Sequence, residues 1–135
     1  EIVSTISKHV TSDFIDLQYS DTAEDRRLIF QELGINIQHI ESVDNFNDLD
    51  SFASLITVCD FVVTCSNSTA HLAGALGKET YLLVPFGRGR HWYWSHIDDD
   101  GRSLWYPSVR VIPQSTAGSW QEPLQELSNV LKARS

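Results

Sequence analysis

The run Val62-Val63-Thr64-Cys65-Ser66-Asn67-Ser68-Thr69-Ala70-His71-Leu72-Ala73-Gly74-Ala75-Leu76-Gly77 constrains this chain more than any other stretch. Within four residues a buried-strand pattern gives way to the start of a helix crowded with small polar groups. A strand that turns so abruptly into a helix belongs to a sheet with crossover connections. The first amides of the helix have no intrahelical acceptor and sit at the positive end of its dipole, so an anion lodged there meets several donors. Ser66, Asn67, Ser68 and Thr69 surround that point, and His71 lies about one turn inside. Ser, Thr and Asn are also ordinary helix caps, and both readings stand at this level.

Strand and helix signals alternate along the rest of the chain. A helical lead-in ends near Val10, and residues 14–19 read as a first strand. Asp21-Thr22-Ala23-Glu24 opens a helix with a capping box, Leu28, Ile29 and Leu33 form its apolar face, and Gly34 ends it. Residues 35–40 read as a second strand. Asp48 caps a helix in which Leu49, Phe52 and Ile56 recur at helical spacing, and residues 60–65 are the third strand. A fourth strand, residues 81–84, stops at Pro85, and residues 109–112 form a fifth. Ser119-Trp120-Gln121-Glu122 is a second capping box, with Pro123 in the first turn and Trp120, Leu124, Leu127 and Leu131 along a closing helix.

Near-continuous apolar strands separated by helices predict an α/β fold of Rossmann type, a parallel sheet of about five strands with helices on both faces. With 135 residues, 41% of them hydrophobic and 21% charged, one core and one domain are expected. Ligands of such sheets bind at the carboxyl ends of the strands. The Ser66–His71 junction is at such an end, and so is the connection that leaves Val84.

That connection, residues 85–107, is unusually long, and long connections are often functional. It holds three of the four Trp residues, with Tyr93, Tyr106, His91 and His96. Gly87-Arg88-Gly89-Arg90 lets backbone and guanidinium approach a diphosphate, and Trp92 and its neighbours offer rings for a base or sugar. Equally open here are aromatics that cover another domain, and Arg88, Arg90 and Arg102 that pair with Asp98, Asp99 and Asp100. Asp48 and the Asp98–Asp100 run are read as a cap and a turn, not as catalytic or metal-binding carboxylates.

The net charge of -8 argues against nucleic acid as the main partner. No apolar run approaches the ~20 residues of a membrane-spanning helix. Cys59 and Cys65 suit reduced thiols in a cytoplasmic protein better than a disulfide, and no metal site or cofactor is expected.

The run from Ser66 to Lys78, with Leu83-Val84-Pro85-Phe86-Gly87 and Trp105-Tyr106-Pro107-Ser108-Val109-Arg110, resembles the C-terminal, donor-binding half of GT-B glycosyltransferases. The nearest group is the family 9, heptosyltransferase-like region of bacterial tetratricopeptide-repeat proteins. The resemblance implies a nucleotide-sugar donor, with Ser66, Asn67, Ser68 and Thr69 on its diphosphate and His71 behind them. Gly87, Arg88, Arg90 and Trp92 complete the expected donor site. It also implies an inverting, metal-independent parent enzyme whose catalytic base belongs to an acceptor-side half. This chain then looks like a piece of a longer protein, cut from an N-terminal domain or repeat array. Many heptosyltransferases have Asp-Thr where this chain has Ser66-Asn67, which leaves the sugar open, and the similar O-linked N-acetylglucosamine transferases keep UDP-sugars in view. A non-catalytic interaction module derived from the same domain is the alternative. A flavodoxin-like domain is weaker still, since no phosphate-binding Gly motif is present.

Overall fold

The computed structural model describes residues 1–134. Among the described residues there are five α-helices and five strands: α1 (Ile2–Ser7), β1 (Phe14–Ile15), α2 (Ala23–Leu33), β2 (Ile37–Gln38), α3 (Leu49–Val58), β3 (Val62–Cys65), α4 (Ser68–Ala75), β4 (Thr80–Val84), β5 (Val109–Pro113) and α5 (Gln121–Arg134). They alternate up to β4, which is followed by β5 without an intervening α-helix. Every strand pairing between them is parallel, as a Rossmann-like α/β fold requires.

The expected single sheet of five strands is corrected to two ladders, β1-β2 and β3-β4-β5. Only two residues of each strand pair in the first ladder, Phe14 with Ile37 and Ile15 with Gln38. Among the described residues no backbone hydrogen bond joins β1 to β3. Side chains hold the two parts together instead. Phe14 packs on the cluster of Tyr81 and Leu83, while Leu17 packs on that of Phe52, Ile56 and Val62.

β4 lies between its partners and is buried along its whole length, so its alternate residues feed two cores. Tyr81 and Leu83 face Ile6 of α1 and Leu127 and Leu131 of α5. Leu82 and Val84 face Ala70 of α4 and Trp94 of the long connection. Burial and a nearby Glu79 carboxylate raise the Tyr81 hydroxyl above its usual pKa, although Arg134 opposes them.

Local signals account for several helix ends. Gly34 closes α2 at φ 69°. Asp48 caps α3 by accepting from the Ser51 amide, and the hydrogen bonds of Ser51 hold its carboxyl below the usual carboxylate range. The Asp21–Glu24 capping box does not form. The Thr22 hydroxyl donates to buried Asp16 instead, and the Ala23 amide is taken by Asp21. Nor does the apolar face of α2 reach the core, for Leu28 and Leu33 remain about two-fifths exposed at 40% and 42%.

The carboxyl end of α3 is closed from outside by Lys78, whose ammonium donates to the Thr57 and Cys59 carbonyls at 2.9 and 2.5 Å. A cation on terminal carbonyls also opposes the negative end of the helix dipole. Lys78→Ala is expected to lower stability by about 1 kcal/mol, because the bonds are charge-assisted but partly exposed to water. Chemical denaturation checks this, and an unchanged midpoint would show that water replaces the ammonium without loss.

Candidate functional site

The site begins at the β3 to α4 junction. Cys65 ends the strand, Ser66 makes the turn, and Asn67 adopts extended backbone (φ -154°, ψ -178°) as the cap. Its side-chain oxygen accepts from the Ala70 amide at 3.1 Å. One of the first amides of α4 is thereby satisfied. The amides of Ser68 and Thr69 have no protein acceptor among the described residues, and the Ser68 hydroxyl is exposed beside them. Thr69 is different. It is 6% exposed and lies at the edge of the core.

The long connection packs against this junction. Two 3-10 turns, Gly87–Gly89 and Trp92–Ser95, shape its first half. A short antiparallel excursion follows, with Ile97 bridged to Ser103 and Arg102 to Arg110. Trp94 is fully buried, and its indole N–H donates to the Ser66 Oγ at 3.0 Å. Features leaving the carboxyl ends of β3 and β4 therefore meet at one place.

His71 lies in a nest of rings. Its imidazole stacks on Trp94 with centroids 4.9 Å apart and planes at 29°, and it meets Tyr93 and Tyr106 at 5.3 and 5.8 Å. Its Nδ1 lies 3.3 Å from the Tyr106 hydroxyl. The expected place of His71 behind the helix mouth is thus filled by aromatic packing. Beside it His71, Trp92, Tyr93, Trp105 and Tyr106 line a shallow cavity of about 220 Å³.

The arginines divide in a way that residue types alone do not foretell. Arg90, expected at the diphosphate, is engaged with the backbone at the root of its own connection: its Nε donates to the Pro85 carbonyl at 3.3 Å and an Nη to the Gln114 carbonyl at 3.4 Å. Gln114 is itself buried and accepts from the Phe86 amide, so the root of the connection is a closed polar network. Arg88 is exposed and has no ion-pair partner among the described residues. Gly87, just before it, takes φ 63°, a left-handed conformation that suits glycine. Arg102 donates to the Pro107 carbonyl at 3.1 Å and approaches Glu79.

Asp98 through Asp100 form a turn, as expected. One Asp98 oxygen accepts from the amides of Asp100 and Arg102, and Gly101 follows at φ 75°. No ion pair joins this run to an arginine among the described residues. Groups of His, Cys, Asp and Glu spaced for a metal ion are also absent among them. Cys59 and Cys65 are free thiols, and burial raises the Cys59 pKa despite Lys78 nearby. No described helix is long and apolar enough to cross a membrane.

Sequence reasoning missed one polar cluster, at the carboxyl ends of β1 and β2. Asp16 is buried and accepts from Thr22 and from the Gln18 amide, with Arg26 and His39 at 3.7 and 3.6 Å. A single acid between Ile15 and Leu17 was the available signal, because a buried charge requires partners.

Neither a protein-family model nor a solved structure matches this chain. The chain is similar to Protein FlbA of Caulobacter vibrioides (strain ATCC 19089 / CIP 103742 / CB 15), at 32% identity over 119 residues. That similarity covers 88% of this chain and 19% of FlbA, so the chain spans about a fifth of the relative it matches.

Proposed function

We propose that this domain binds the nucleotide-sugar donor of an inverting, metal-independent glycosyltransferase in the cytoplasm, with an acceptor half or tetratricopeptide-repeat region supplied elsewhere in the parent protein. The observation that carries the reading is the meeting of two carboxyl-end features, marked by the Trp94 to Ser66 hydrogen bond. It brings the aromatic connection against the mouth of α4. There the unpaired amides of Ser68 and Thr69, the Ser68 hydroxyl and the dipole of α4 offer a phosphate donors that are already in place. Arg88 is the exposed cation on the same connection. Charge growing on a departing nucleoside diphosphate would be stabilised by such fixed groups, and no metal is required.

The acceptor hydroxyl would be activated from outside this domain. Its residues would hold the donor and receive the negative charge. Arg90 keeps the connection folded from its place on the Pro85 and Gln114 carbonyls.

Titration with UDP, ADP, GDP and CMP by protein-observed NMR tests the reading, with shifts expected at Ser68, Thr69 and Arg88. Arg88→Ala and Ser68→Ala are each expected to weaken the bound nucleotide about 3- to 20-fold, the range for one lost charged or hydroxyl hydrogen bond. Wild-type affinity in both variants would remove the diphosphate from this junction. A second reading, a non-catalytic interaction module, draws on the exposure of Trp92, Leu104 and Trp105 at 66%, 62% and 55%. Binding of none of the four nucleotides would favour it.

A further inference from the structure

The cavity beside His71 differs in kind from the helix mouth. Its lining is five rings, from His71, Trp92, Tyr93, Trp105 and Tyr106, with no Lys, Arg, Asp or Glu among them. Several of the polar edges are already engaged. The Trp105 indole N–H donates to the Tyr93 carbonyl at 3.2 Å, and the Tyr106 hydroxyl pairs with His71 Nδ1. The cavity therefore offers chiefly ring faces and C–H edges, and few free donors for a phosphate or a row of sugar hydroxyls.

Ring geometry narrows the choice of occupant. Trp92 stands at 89° to Trp105 and at 76° to Tyr93, with centroids 6.2 and 5.7 Å apart. A flat base is held best against one face or between parallel faces. Walls that meet at right angles form a corner, which fits a compact, rounded group. At about 220 Å³ the cavity falls below the roughly 300–1,000 Å³ of pockets that enclose drug-sized ligands, so its size matches a headgroup better than a whole nucleoside. Aromatic faces carry negative potential and attract organic cations that need no hydrogen bonds. The net charge of -8 adds a long-range field of the same sign.

We propose that the aromatic corner of Trp92, Tyr93 and Trp105, floored by His71 and Tyr106, is a binding site for a methylated ammonium group. The site is independent of the donor reading. Its ligand is the cation of a free methylated amine or of a trimethylated lysine side chain, which share one chemistry.

The test is titration of the protein with tetramethylammonium, choline and a trimethyl-lysine peptide, followed through the tryptophan indole N–H signals by NMR. The uncharged isostere of choline, 3,3-dimethylbutan-1-ol, is the control. Shifts are expected at Trp92 and Trp105, with the Trp120 signal unmoved. Trp105→Ala and Trp92→Ala should each weaken the cation at least about fivefold, which corresponds to loss of one cation–π wall. Trp105→Phe, which keeps a face, should retain part of the affinity and shows that the loss is not one of folding. Tighter binding of the peptide than of choline assigns the ligand to a protein, and the reverse assigns it to a free amine. Equal binding of the uncharged isostere, or no shift with any of the three cations, would overturn the proposal. Nucleotide titration at Ser68 remains readable in either case.

Discussion

Trp94→Ala is expected to destabilise the protein by about 3–5 kcal/mol, the range for removing a large buried aromatic side chain. No other fully buried side chain among the described residues is larger, and it joins four parts of the structure. It packs with Ala70, Leu82, Val84, Val109 and Val111, stacks on His71, and ties the long connection to Ser66 through its indole N–H. Truncation leaves a cavity whose walls belong to β4, β5 and α4, and the two strands are held by their own ladder and cannot close on it. Trp92→Ala removes an indole of the same size that is two-thirds exposed, and is expected to cost under about 0.5 kcal/mol. Urea denaturation of the pair is the measurement. Similar midpoints for the two variants would mean that Trp94 is not the anchor of the connection. Trp94→Phe separates the two contributions, since it keeps a ring but strands the Ser66 hydroxyl, and about 1–2 kcal/mol is expected.

Trp94 also marks where sequence reading succeeds and where it stops. The β3 to α4 junction, the end of β4 at Pro85, the αL glycine after α2 and the Asp48 cap were legible because each depends on neighbours a few residues away. The aromatic density of residues 85–107 was legible as a feature, but not the choice of Trp94 as the buried member and Trp92 and Trp105 as exposed ones. That choice depends on Ser66 and His71, more than twenty positions earlier.

The arginines repeat the lesson. Arg88 and Arg90 are two residues apart in the same Gly-Arg repeat, yet Gln114, brought beside β4 by the β4-β5 ladder, engages only Arg90. The single sheet was overdrawn for a related reason. Strand pattern predicts which residues are extended, whereas hydrogen bonding between β1 and β3 depends on where their edges meet. Asp16 shows the converse. A charge inside an apolar strand is visible in the sequence, but the identities of Thr22, Arg26 and His39 as its partners appear only when β1, β2 and α2 come together.

Gly74→Ala is expected to destabilise the protein by about 1–3 kcal/mol, against the ordinary effect of that change in a helix. Within a helix, alanine is favoured over glycine by about 1 kcal/mol, so an open site would show stabilisation. Gly74 is not open. A Cβ there would lie 2.6 Å from the Tyr106 Cγ and 2.9 Å from its Cβ and Cδ1, far inside contact distance. Tyr106 cannot withdraw cheaply, because its ring meets His71 and Trp94 and its hydroxyl bonds the imidazole. The clash therefore outweighs helix propensity, and relief must come from shifting α4 or opening the aromatic nest. Thermal unfolding measures the sign directly, and a raised midpoint in Gly74→Ala would show that the nest yields. The double variant isolates the cause: with Tyr106→Leu already in place, Gly74→Ala should cost less by at least about 1 kcal/mol, since residues in contact couple by such amounts. The same contact links stability to the site, because the residue that forbids a side chain at position 74 also forms the floor of the aromatic corner. Trp92 and Trp105 indole signals should consequently shift in Gly74→Ala, while the amides of Ser68 and Thr69 at the far end of α4 move less.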